Sequence, residues 1–190
     1  MPRASRLMPR SRMNKLPNHT ALKEWSNVIE ALGRGEQVIL LRKGGIADPS
    51  FGVEAERFYF YPTYYHQPSP DAEPQDIAIT HWCEVVRTWR VTEAAAIEKL
   101  LPFVVLPREA VETRYRFRPG QALHVIAVRT MRLAEPATIR ARPEYIGCRS
   151  WVSLEDEIDV TGSVQTVGED ELQFKLSEVD RAIAASAARA

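Results

Sequence analysis

The sequence predicts an α+β fold: one domain with an N-terminal helix, a mixed or antiparallel sheet open to barrel-like closure, and a C-terminal helix. Three observations predict it. Helical periodicity of apolar residues sits near both ends, over residues 21–32 and 169–188. Strand-like runs fill 37–91, with Phe58 and Phe60 alternating against Tyr59 and Tyr61. The order helix, three strands, two short helices, strand, helix fits segregated α and β elements. With 190 residues, 45% of them hydrophobic and 26% charged, the chain can bury a proper single core.

Residues 1–17 read as a basic, disordered tail, with Arg3, Arg6, Arg10, Arg12 and Lys15 and no acid. No apolar stretch of ~7 to 15 residues follows those arginines, which argues against a secretory signal. The domain is placed at 18–190. Asn18 or Thr20 is the candidate cap of the first helix. Ala21, Trp25, Val28, Ile29 and Leu32 share one helical face, with Lys23, Glu24 and Glu30 on its solvated side. Gly33 and Gly35 end it. Gln37–Arg42 (QVILLR) is a nearly continuous apolar run, hence a strand covered on both faces. The Gly44-Gly45 turn leads to the strand at Arg57–Tyr61, which Pro62 stops. Residues 67–76 hold three prolines and form an exposed loop.

Residues 77–91 form a long strand, with Ile79, His81, Cys83 and Val85 on one face. Short helices follow at 94–101 and from Pro107. Arg114, Arg116 and Arg118 repeat with period two, which as an extended segment sets three guanidiniums on one side. Another strand covers 122–133, and the last helix presents Leu172, Leu176, Val179 and Ile183.

Net charge is zero, but its layout is uneven. Residues 18–112 carry nine basic and fourteen acidic side chains, and 113–150 carry eight arginines against Glu135 and Glu144. Residues 151–190 then hold three basic and nine acidic groups. Such blocks produce a local positive field on a neutral protein, and they point to an anionic partner. Arginine rather than lysine throughout 113–150 suits planar, two-point recognition of phosphate. The competing reading is salt bridging between this block and the acidic C-terminal segment.

Two cysteines, Cys83 and Cys148, form no disulfide framework and fit a reducing, cytoplasmic setting. No apolar run approaches the ~18 to 20 residues of a membrane span, so no membrane partner is expected. A zinc site from His66, His81, Cys83, His124 and Cys148 lacks any CxxC or HxxxH spacing, and no metal or cofactor is expected.

The segments ALKEW at 21–25, LGRGEQVILLRKGG at 32–45, FYPTYYHQ at 60–67, LHVIAVR at 123–129 and YIGCRSWVSL at 145–154 together resemble one family. It is the family catalogued as domain of unknown function 1802. That family has no established activity, and the association of some members with restriction-endonuclease domains implies a role beside restriction-modification. No Asp/Glu-x-Lys tripeptide of such a nuclease occurs in this sequence. The opening helix, glycine turn and strand ending in Leu-Arg also look like folds that read RNA or modified bases through a small β-barrel.

Three functional classes follow. The first is a module binding nucleic acid or a nucleotide, for which the candidate ligand-binding residues are Arg42, Lys43, Tyr61, Tyr64, Tyr65, His66, Gln67, Arg114, Arg116, Arg118, Arg129 and Arg149. The tyrosines offer faces on which bases stack, unless they pack inside. The second is an enzyme on a phosphorylated or nucleic-acid substrate using Glu54, Glu56, His66 or Cys148. The third is a scaffold whose arginines dock a protein with an acidic face.

Overall fold

The computed structural model describes residues 14–187, apart from 45, 49 and 64–75. Its elements are β1 (Thr20–Trp25), α1 (Ser26–Gly33), β2 (Ile39–Arg42), β3 (Arg57–Thr63), β4 (Asp76–Val91), α2 (Ala94–Leu100), α3 (Arg108–Arg116), β5 (Leu123–Arg140), β6 (Trp151–Ser153), β7 (Val164–Gln165) and α4 (Glu169–Ala187). The sheet order is β2-β5-β4-β3-β1-β6, with β7 added on β5. It is mixed: β1 runs parallel to β3, and the other pairings are antiparallel. The α+β reading therefore holds, with an open rather than closed sheet.

The first helix needs correcting. Residues 20–25 are a strand, and only 26–33 are helical. The apolar spacing that suggested one long helix is shared by a strand buried on both faces, because such a strand shows no alternation. Ala21 to Glu24 are all buried, hydrogen-bonded to β3 on one side and β6 on the other. The helix then starts without a side-chain cap, and Ser26 Oγ instead donates to Thr63 O at 3.3 Å.

A second correction concerns the extent of the helix expected from Pro107: it runs to Arg116, so Arg114, Arg116 and Arg118 do not share the side of an extended segment. Val111 is the buried anchor of α3, and Arg116 pairs with Glu112 one turn earlier, 2.7 Å away.

Alternation in β3 divides the core as the sequence predicts. Phe58 and Phe60 enter a large cluster with Leu22, Leu32, Leu41 and Ile126, which α4 covers with Leu172, Leu176 and Val179. Tyr59 and Tyr61 enter a second cluster on the other face, with Leu16, Ile139, Tyr145 and Leu154. Residues 14–17, read from sequence as part of the tail, pack here: Leu16 is buried, and Val160 N donates to Asn14 O at 2.8 Å. Residues 1–13 lie outside the described residues.

Strands β4 and β5 form the spine, paired from Asp76↔Arg140 to Val91↔Leu123, with breaks at Ile79/His81 and Val85/Arg87. β5 runs past its predicted end through Pro136, which falls within the first break, between the pairs Ile79↔Ala137 and His81↔Arg132, where its missing N–H costs no paired position. Such bulges bend and twist a long ladder. No helix among the described residues is long and apolar enough to cross a membrane.

The turn after α1 docks on the C-terminal part of the chain. Thr166 Oγ1 donates to Leu32 O at 3.0 Å, and Lys175 Nζ donates to Gly35 O at 2.7 Å. Gly35 has φ +73°, and a Cβ there would lie 2.9 Å from Val167 Cγ2 and 3.3 Å from Thr166 O. Gly35→Ala is expected to lower stability by roughly 1–3 kcal/mol, from left-handed strain and overpacking. Equilibrium denaturation reads this directly, and an unchanged midpoint would mean the turn is not held as described.

Candidate functional site

The open sheet has a seam where its β2 end meets β1 and the segment entering β6. Arg42, the last residue of β2, crosses that seam. Its Nη1 donates to Lys23 O and Glu24 Oε2, both at 3.1 Å, and its Nη2 donates to Ser150 Oγ at 3.0 Å. Arg114 reaches in from α3, donating from Nη1 to Leu41 O at 2.9 Å and from Nη2 to Glu24 Oε1 at 3.1 Å. Its guanidinium lies 4.8 Å from the centroid of the Trp25 ring. Glu24 thus joins β1, β2 and α3 through one carboxylate.

The Glu24 side chain is wholly buried. Burial pushes its carboxyl up, but Arg114, Arg42 and the Trp25 N–H outweigh that and hold it below the ordinary glutamate range. An isolated carboxylate there would be prohibitively costly, so the two guanidiniums are a condition of the strand's burial.

Above this triad opens a cleft of about 430 Å³, lined by Lys23, Trp25, Arg42, Lys43, Thr63, Arg114, Phe117, Cys148, Arg149 and their neighbours. Lys23 Nζ donates to Gly147 O at 2.8 Å and stands 5.8 Å from the Tyr61 ring centroid. Burial lowers the pKa of Lys23, and the Cys148 thiol opposes that shift. Lys43 is also buried, its Nζ donating to Tyr115 O, and burial lowers its pKa. The Arg42 Nε–H is buried without an acceptor among the described residues. Arg149 is exposed, and its side chain makes no hydrogen bond or ion pair among them. Five cationic side chains therefore converge on one cleft from four separate stretches of chain.

The predicted site residues divide. Arg42, Lys43, Arg114 and Arg149 come together here. Tyr61 is buried behind Lys23, its ring 5.7 Å from Tyr145, and burial with Tyr145 pushes its hydroxyl up to about 12. Arg118 stands at the rim, donating to Ile46 O at 3.1 Å. Arg116 points to solvent with Glu112. Arg129 is held elsewhere by Glu84 at 2.8 Å and Glu169 at 3.0 Å. Tyr64, Tyr65, His66 and Gln67 lie outside the described residues. Glu54 and Glu56 are exposed and do not line this cleft. Of the two thiols, Cys83 is buried and Cys148 is exposed in the cleft.

Lys23, Glu24 and Trp25 were missed as site residues because a helix would turn the two charges to water. The available signal was the ALKEW segment itself, whose charges lie between a strand-compatible pair of apolar residues and a tryptophan.

The chain matches the family model described as "Domain of unknown function (DUF1802)" over residues 21–178. Among solved structures it is similar to ASCH from Zymomonas mobilis, at 12% identity over 83% of this chain and 92% of that chain, with a TM-score of 0.47. A substituted form of the same Zymomonas mobilis protein is similar at 11% identity, over 86% of this chain and 98% of that chain, with a TM-score of 0.46. Neither TM-score reaches 0.5. No curated protein matches the chain.

Because the folded-state pKa of Glu24 is depressed, its contribution to stability is complete above the ordinary glutamate range. It is lost as pH falls through the folded value. Glu24→Gln leaves two half-buried guanidiniums without their shared carboxylate and is expected to cost roughly 3 kcal/mol. It should also flatten the acid limb of the stability curve. Denaturant melts between neutral pH and about pH 3 measure both effects.

Proposed function

We propose that this chain, which belongs to the DUF1802 family of unknown function, is a binding module for nucleic acid or nucleotides and receives phosphate in the seam cleft. The carrying observation is the convergence of Lys23, Arg42, Lys43, Arg114 and Arg149 on one concavity whose nearest counter-charges are Asp48 and the buried Glu24. Five cationic side chains against the carboxylates of Glu24 and of Asp48, which also acts on Arg42, leave a surplus of positive charge, and a recessed surplus focuses the field on an anion. The buried Arg42 Nε–H supplies a directed donor, and Arg149 supplies an uncommitted guanidinium. Phe117, half-buried, adds aromatic surface beside them for a base. The restriction-modification setting implied by the family resemblance makes DNA one ligand to compare with RNA.

Affinity of the full chain for a generic oligonucleotide should fall with salt. Three to five phosphate contacts give a slope of roughly −2 to −4 in log K against log salt. Arg149→Ala removes a side chain that makes no hydrogen bond or ion pair among the described residues, so it should flatten the slope by about one unit at an unchanged melting temperature. Ligand should also slow modification of Cys148 by a thiol reagent, with buried Cys83 silent in the folded protein. Binding that neither responds to Arg149→Ala nor protects Cys148 arises elsewhere on the chain. Absence of binding to DNA and RNA near about 50 mM salt refutes the reading.

A further inference from the structure

A second concavity, of about 380 Å³, shares Lys43 with the seam cleft and is otherwise lined by residues including Phe51, Arg90, Gln121 and His124. The sheet register relates the two. Arg42 on β2 lies opposite His124 on β5, and His124 lies opposite Arg90 on β4. Directly opposed residues project from the same face, so these three form one cross-strand row at the end of the sheet. The Phe51 ring marks that face, 5.7 Å from the Arg42 guanidinium and 5.3 Å from the His124 ring. Two strand spacings separate Arg42 from Arg90, roughly 10 Å of backbone.

Arg90 differs from its neighbours in charge bookkeeping. Arg87, three residues earlier on β4, is paired with Asp180, and Arg129 on β5 with Glu84 and Glu169. Arg90 is exposed, and its side chain makes no hydrogen bond or ion pair among the described residues. The same holds for Arg149 in the other cavity. Two uncommitted guanidiniums therefore flank Lys43, one in each concavity, so that a ligand engaging both has to extend across Lys43.

We infer that the ligand is a single-stranded polynucleotide whose backbone passes from the seam cleft, over Lys43, into the Arg90 concavity. This rests on the nucleic-acid reading of the seam cleft and narrows it to a ligand with successive phosphates. A flexible single strand can follow two recessed, adjoining cavities, whereas a stiff duplex presents its phosphates on a convex surface. The seam cleft alone would hold a mononucleotide, so chain length is the discriminating variable.

The test is fluorescence anisotropy of the full chain with a 5′-phosphorylated mononucleotide, a dinucleotide, a tetranucleotide and a duplex containing the same tetranucleotide sequence. Affinity should rise from mononucleotide to tetranucleotide, and the duplex should bind less tightly. Arg90→Ala should weaken the tetranucleotide about 3- to 5-fold, as for loss of an exposed ion pair, and leave the mononucleotide unchanged. It should also remove about 0.7 from the salt slope. Arg90→Glu should repeat this length-dependent pattern with a larger loss, and unchanged melting temperatures show that both variants fold. Arg149→Ala should weaken both ligands. If Arg149→Ala weakens binding but Arg90→Ala does not alter the tetranucleotide, the strand path is overturned and the seam cleft stands. A mononucleotide as tight as the tetranucleotide, or a duplex tighter than either, overturns the path as well. If no ligand binds, both readings fall.

Discussion

A fully buried glutamate held between two arginines is the constraint on which the architecture turns. Glu24 sits on a strand hydrogen-bonded along both edges, in a position where no water can solvate its charge. Only a counter-charge brought in by tertiary structure makes that burial tolerable, and two are brought, from the end of β2 and from α3. Each guanidinium also bonds backbone across the seam, Arg42 to Lys23 O and Arg114 to Leu41 O. The carboxylate is thereby the knot between the two ends of an open sheet. Side chains do here what a closing ladder does in a barrel.

The same knot shapes the electrostatics of the cleft. Glu24 anchors two guanidiniums and so orients them, but it can balance only one of the two charges. Lys23 and Lys43 point their ammonium groups at carbonyl oxygens, which fix position without neutralising charge. The arginine-rich segment is thus not one surface. Arg129 and Arg142 bridge to Glu169 and Glu155 in the acidic C-terminal segment, Arg116 pairs within its helix, and Arg114 and Arg149 face the cleft. Internal bridging therefore accounts for some members of the block, while Arg114 and Arg149 belong to the cleft.

Aromatic residues support this arrangement from behind. Tyr61 and Tyr145 lie edge to face beneath Lys23, and the Phe51 ring is set between Trp151, His124 and Arg42. The tyrosine-rich strand contributes walls to the cationic centre, and its described rings are covered rather than offered to solvent. Loops on the rim are tied in turn: Asp48 accepts the Ser150 N–H at 3.0 Å, and Ala47 N donates to Cys148 O at 3.3 Å.

Local sequence determined what depends on period and on sharp stops. The two faces of β3, the long β4, the amphipathic α4 and the glycine after α1 follow from alternation, helical spacing and backbone freedom, and all are present in the fold. The family likeness, too, was carried by short segments of sequence. Tertiary structure decided the rest, because burial on both faces erases the period that separates strand from helix. ALKEW is a strand flanked by β3 and β6, and the helix expected from Pro107 runs on through Arg116, anchored by the buried Val111. The cleft belongs wholly to this second class: Lys23, Arg42, Arg114 and Arg149 are scattered over more than half the chain. What joins Arg42 and Arg114 among them is one buried carboxylate, whose need for counter-charge is invisible until its burial is known.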